Sequence, residues 1–117
     1  PIKAEPGGGI PAAIDPDVTY TARTMRFGEG DRLVVFSDGV IEQSGEGSTR
    51  ADNQFGMENV LRVLGESESS HTDAELVMRA VTEHAGGDAL DDDTTVASVQ
   101  WGEPRGAWVD PDGPTVR

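Results

Sequence analysis

Asp38 and the run Asp91, Asp92 and Asp93 are the residues whose type and spacing offer chemistry. Asp38 closes the apolar stretch "RLVVFS" and is followed by Gly39. The three aspartates stand just before "TTVASVQW". If 32–37 and 94–100 are antiparallel neighbours, the end of the first lies beside the start of the second. These carboxylates then share one edge, where they repel and push a pKa upward. A divalent cation removes the repulsion, and Mg²⁺ or Mn²⁺ suits carboxylate and water ligands. Zinc usually takes support from His or Cys, and the chain has no Cys and two His. The same residues also suit an ordinary Asp-Gly turn and a solvated cap ahead of a strand, and the spacing alone leaves both readings open.

The elements that would position these groups follow from periodicity. Residues 1–17 are rich in Gly and Pro and read as loop. "VTYTARTMRF", 18–27, puts Val18, Tyr20 and Ala22 on one face, and its β-branched and aromatic content predicts a strand. "GEGD" is a turn signal, and 32–37 is the most apolar strand, expected to pair antiparallel with 18–27. Residues 44–54 read as a solvated loop. Met57, Val60, Leu61 and Leu64 keep helical spacing, with Gly65 as the stop. "ESESSH" reads as a linker carrying His71. Thr72 and Glu75 form a candidate capping box. Leu76, Val77, Ala80, Val81 and His84 mark a second amphipathic helix, ended by Gly86 and Gly87. In 94–101, Thr95, Ala97, Val99 and Trp101 alternate with Thr94, Val96, Ser98 and Gln100, which predicts a strand apolar on at least one face. Phe36 and Phe55 are expected to pack. Residues 102–117 carry Pro104, Pro111 and Pro114 and read as a loose tail in which Trp108 has little to pack against. The order strand, strand, helix, helix, strand predicts an α+β layered sandwich with two adjacent helices on an antiparallel sheet.

Composition narrows the function classes. A chain of 117 residues makes one small domain. Asp plus Glu number 22 against 9 Lys plus Arg, for a formal charge of -13. Nucleic acid is therefore not an expected partner, nor is anionic lipid. A cation or a basic patch on a partner fits better. The absence of Cys removes disulfides and thiolate sites. No signal peptide and no apolar run of membrane length is visible. Membrane insertion of this segment is not expected, and a cytoplasmic location is. Gly7–Gly9 lacks the spacing of a dinucleotide loop and the Lys-Ser/Thr ending of a phosphate loop, and no calcium loop of the twelve-residue kind is found. Arg50, in the 44–54 loop, is in reach of a substrate phosphate in principle, though a solvent-facing side chain is the simpler reading.

"GDRLVVFSDGVIEQ", the following "FGMENVLRVL" and "GGDALDDDTTVASVQW" together resemble the C-terminal half of a bacterial PP2C-like metal-dependent Ser/Thr phosphatase domain, of the sporulation and stress-response kind. "GGGIPAAIDPDVTYTARTMRFGEGD" is similar to the segment those proteins carry ahead of an SDG or TDG motif. The likeness covers roughly residues 6–101. On it, residues 1–101 form the C-terminal part of such a domain, and 102–117 a flexible tail. The implied fold is an α-β-β-α sandwich with a two-metal centre, Mn²⁺ or Mg²⁺, between its sheets.

Carried over position by position, the resemblance makes Asp38 the metal-binding aspartate of the SDG motif. Asp92 becomes the first aspartate of the final DDxT motif and also a metal ligand, with Asp93 at the neighbouring acidic position. Gly39 lets the chain turn without a Cβ and keeps Asp38 on the ions. Thr95 supports the strand start. No side chain attacks substrate; a metal-held water does. Neither His71 nor His84 is given a proton-transfer role. The implied substrate is a phosphorylated regulator such as an anti-sigma-factor antagonist. The upstream GD and DVxGHG-type motifs of the family do not occur in these 117 residues. The resemblance therefore implies a missing N-terminal half of the domain as the partner that supplies the other ligands and half of the sandwich. A homo-oligomer, in which a second copy covers the sheet, is the other partner considered, and a sensory or membrane region has room upstream. The alternative is a catalytically inactive regulatory or protein-binding module that keeps the fold.

Overall fold

Alternation makes "RLVVF" and "VASVQ" strands with two unlike faces. In the computed structural model, which describes residues 2–4, 10–48, 51–87 and 89–102, these are β1 (Arg32–Phe36) and β2 (Val96–Gln100). They pair antiparallel, with Arg32 opposite Gln100 and Phe36 opposite Val96. Between them lie α1 (Asp38–Ile41), a 3-10 turn (Ala51–Asn53), α2 (Gly56–Glu66) and α3 (Ser70–Ala85). The architecture is α+β, with a two-stranded antiparallel sheet and three α-helices among the described residues.

The core sits between the helices and one face of this sheet. Val60, Val63 and Leu64 recur at helical spacing on α2, and Val77 and Val81 on α3, so each helix buries one stripe. They close on Val40 and Phe55, and Val34, Phe36 and Val96 pack against the cluster from the sheet. Burying each such valine contributes about 1.5–3 kcal/mol. The other sheet face is apolar yet open: Leu33, Val35 and Val99 are exposed, as is Trp101 just beyond β2. Gly86 ends α3 with φ 80°, a left-handed conformation in which a side chain is disfavoured.

Several expectations from the sequence are corrected. Residues 18–27 form no strand; Tyr20 and Met25 are exposed, and β1 pairs only with β2 among the described residues. A strand is stabilised by the ladder of a neighbour, and β-branched content does not supply that neighbour. Helix α2 runs through Gly65 to Glu66 and is closed by Ser67, at a cost of about 1 kcal/mol for an interior glycine. Met57 is exposed, and Val63 takes a core place instead. Helix α3 starts earlier than the Thr72–Glu75 box. Its N-cap is Ser69, whose carbonyl accepts the Thr72 hydroxyl at 3.1 Å, while Glu75 pairs with Arg79 at 2.6 Å. His71 accordingly lies in the first turn of α3 and not in a linker. Residues 44–54 are not wholly solvated: Gly45 is buried, Ser44 bridges to Gln54, and 51–53 form the 3-10 turn. Arg50 and the tail with Trp108 lie outside the described residues.

Candidate metal centre

The register of the ladder brings the end of β1 to the start of β2. Ser37 extends the contact past the last ladder pair. Its N–H donates to the Thr95 carbonyl at 3.0 Å, and the Thr95 N–H donates to Ser37 Oγ at 2.9 Å. The Ser37 hydroxyl donates in turn to the Asp93 carbonyl at 3.2 Å. The chain then coils at once into α1, whose first residue is Asp38. Asp38 and the Asp91–Asp93 run therefore occupy the same edge of the sheet.

Gly39 is buried at this junction. A Cβ there would run into the Asp93 carbonyl oxygen and lie 2.9 Å from Thr94 Oγ1. The demand for glycine is thus space: the 93–94 backbone crosses directly over α1. Thr95 contributes through its main chain, whereas the hydroxyl that bonds within the run is that of Thr94, to the Asp92 carbonyl at 3.1 Å.

The three aspartates of the run differ. Asp91 Oδ2 accepts the Ser44 N–H at 3.0 Å, and the Asp91 N–H donates to Gln43 Oε1 at 3.0 Å. The Ser44 main-chain bond, joined by the Ser44 hydroxyl, lowers the Asp91 pKa below the ordinary carboxylate value. Asp92 Oδ1 accepts the N–H of Asp93 at 2.7 Å. Asp38, Asp92 and Asp93 are all exposed. The ion pairs Arg32–Asp73, Arg62–Glu66 and Arg79–Glu75, each between described residues, lie away from this edge.

Exposed carboxylates with water beside them are the donor chemistry that Mg²⁺ and Mn²⁺ take. In kind the residues fit such an ion. In number they do not complete a site: among the described residues no group of three or more His, Cys, Asp or Glu is arranged to hold a metal. The histidines stand apart. His84 Nε2 meets the Asn53 carbonyl oxygen at 2.9 Å and its ring packs edge-on to Phe55, and His71 is exposed on α3. An open groove of about 670 Å³ lined by Glu29, Val99, Gln100, Trp101 and Gly102 lies at the far end of the sheet.

Sequence reasoning passed over Ser37 and Gln43. Gln43 is only 2 % exposed, yet it sits in a polar stretch that gives no sign of burial. Its partner Asp91 is 48 residues away.

An antiparallel sheet covered by helices on one face, with carboxylates gathered where one strand ends and the other begins, defines an α+β domain. The family model for Stage II sporulation protein E (SpoIIE) matches residues 2–102. The chain belongs to that family, a PP2C-like sporulation phosphatase family, and its architecture is that of a partial PP2C-like fold. Neither a comparison with curated proteins nor one with solved structures gave a match. No described helix is long and apolar enough to cross a membrane.

Proposed function

We propose that this chain is part of the catalytic domain of a metal-dependent protein serine/threonine phosphatase acting in bacterial regulatory signalling. The observation that carries the reading is the shared edge: the tip of β1 with Asp38 and the approach to β2 with Asp92 are bonded together through Ser37, Thr95 and Asp93. Membership of the SpoIIE family supports it. Asp38 and Asp92 would hold Mn²⁺ or Mg²⁺, with Asp93 beside them. Gly39 lets the two stretches approach, and the Thr95 main chain ties them.

The chemistry that such ions supply when bound is activation of water and neutralisation of phosphoryl oxygens. The chain's own part is to present carboxylates at a fixed edge. Asp38 and Asp92 are exposed and have no ion pair with another described residue. The remaining ligands come, on this reading, from the upstream half of the domain. The substrate is a phosphoserine or phosphothreonine on a small cytoplasmic regulator such as an anti-sigma-factor antagonist. The net charge of -13 suits a partner with a basic contact patch.

The test is Mn²⁺-dependent hydrolysis of an aryl phosphate by the full gene product. Asp38→Asn and Asp92→Asn should each lower the rate by more than about 100-fold, beyond the range of residues that only orient ligands. Their circular dichroism should match the parent. Normal rates in both variants would overturn the assignment.

A further inference from the structure

The two bonds between Gln43 and Asp91 with Ser44 form a reciprocal clamp that the proposed chemistry does not itself use. Gln43 lies two residues past the end of α1, just after its C-cap Glu42, and Asp91 precedes Asp92 directly. The clamp therefore makes a second link between the two acidic stretches, besides that of Ser37. It is built from inside: Gln43 is 2 % exposed, its carbonyl accepts the Phe55 N–H at 2.8 Å, and its Nε2 donates to the Ser44 carbonyl at 3.0 Å. Phe55 is itself part of the core and stands directly ahead of α2. A side chain so placed has one orientation, and its Oε1 is committed to the Asp91 N–H.

From this geometry we infer that Gln43 and Asp91 are positioning residues for the metal edge: they fix the separation of Asp38 and Asp92 by locking the exit of α1 to the 91–95 run. The inference rests on the reading of Asp38 and Asp92 as metal ligands. With Ser37 alone, the 91–95 run would be bonded to the β1–α1 side only through Asp93 and Thr95, leaving Asp91 and Asp92 to be placed by the packing of Leu90 against the core and the local Thr94–Asp92 bond. With the clamp, Asp92 is held on both sides. Outer-shell partners of this kind commonly alter metal affinity by 10–100-fold.

The experiment uses the full gene product with Mn²⁺ alone as probe, its affinity read by water-proton relaxation. Amide hydrogen exchange is followed at Glu42 and Ser44, with α3 as the control for overall folding. Asp91→Ala and Gln43→Ala are expected to weaken Mn²⁺ binding by about tenfold and to speed exchange at both amides, leaving α3 protected. Asp91→Asn keeps an acceptor for the Ser44 N–H and should restore most of the affinity. Parent-like affinity in Asp91→Ala, with Mn²⁺ binding abolished by Asp38→Asn, overturns the clamp. If Asp38→Asn leaves Mn²⁺ binding unchanged, the ligand reading fails and the positioning role at a metal edge is overturned with it, a failure told apart from the clamp's own by the Asp38→Asn result. A general loss of protection that includes α3 in Asp91→Asn also overturns it, since the residue would then serve overall stability.

Discussion

At the Arg32–Gln100 end of the ladder a carboxylate is wholly buried, whereas at the Phe36–Val96 end the carboxylates stand in solvent. Asp73 has no exposed surface. Its Oδ2 meets Arg32 Nε at 3.2 Å and accepts the Ser98 hydroxyl at 2.6 Å, while Oδ1 has no partner. Arg32 also donates to the Ser67 carbonyl at 3.0 Å, so this knot ties β1, β2 and the entry to α3. At the other end the Ser37 hydroxyl and main chain do the tying, and Asp38, Asp92 and Asp93 are left open. A charge buried among partners fixes structure and is unavailable for anything else. A charge held out by its backbone adds little to stability and remains free to meet a ligand. The contrast separates an acid committed to structure from acids left open to solvent.

The largest effect on stability should come from breaking the buried end. Arg32→Met leaves Asp73 charged and uncompensated, and should cost about 3–5 kcal/mol in urea denaturation. Pairing it with Asp73→Leu should recover most of that loss, because a buried pair replaced as a unit is often neutral. If the double variant were no more stable than the single, the pair would not be what holds that end together.

At the acidic end the sensitive point is the glycine. Gly39→Ala puts a methyl group against the Asp93 carbonyl and Thr94 Oγ1, and either α1 or the 93–94 stretch must move. A loss of about 1–3 kcal/mol is expected, typical of overpacking at a site that cannot relax freely. Thermal melting would show it, and amide exchange at Val40, which donates to the Ser37 carbonyl at 3.0 Å, would localise it. A melting temperature equal to the parent's would mean that the close crossing of 93–94 over α1 is wrong.

The same contrast explains what was legible in the sequence. The helices α2 and α3 were visible because their apolar stripes repeat within a few residues, and Gly86 marks its stop by chemistry alone. The meeting of the acidic tips was also visible, since one antiparallel pairing suffices to produce it. Asp73 was not, although it shares a stripe with Val77 and Val81. A charged residue on a helix reads as solvent-facing until a partner is known, and Arg32 lies on a strand far away in the chain. The Gln43–Asp91 clamp was hidden for the same reason. The expected strand 18–27 failed in the opposite sense: its composition was right for a ladder, but no described strand stands beside it. Local pattern shows what a segment is suited to, and distant partners decide what it becomes.

The smallest effect on stability should belong to Asp38, and that is what makes it informative. The side chain is exposed and has no ion pair with any described residue, so Asp38→Asn should shift the unfolding free energy by no more than about 0.5 kcal/mol. The sign should be slightly favourable if anything, because one negative charge leaves an edge that also carries Asp92 and Asp93. Addition of Mn²⁺ then separates the two kinds of acid. An ion that binds only the folded parent stabilises it by about 2.7 kcal/mol at a hundredfold excess over its dissociation constant. In Asp38→Asn that gain should vanish, while in a variant weakened at the Arg32 end it should persist on a lower baseline. Were the Mn²⁺-dependent gain to survive in Asp38→Asn, the open end of the ladder would be merely a solvated cap, and the difference between the two ends would say nothing about chemistry.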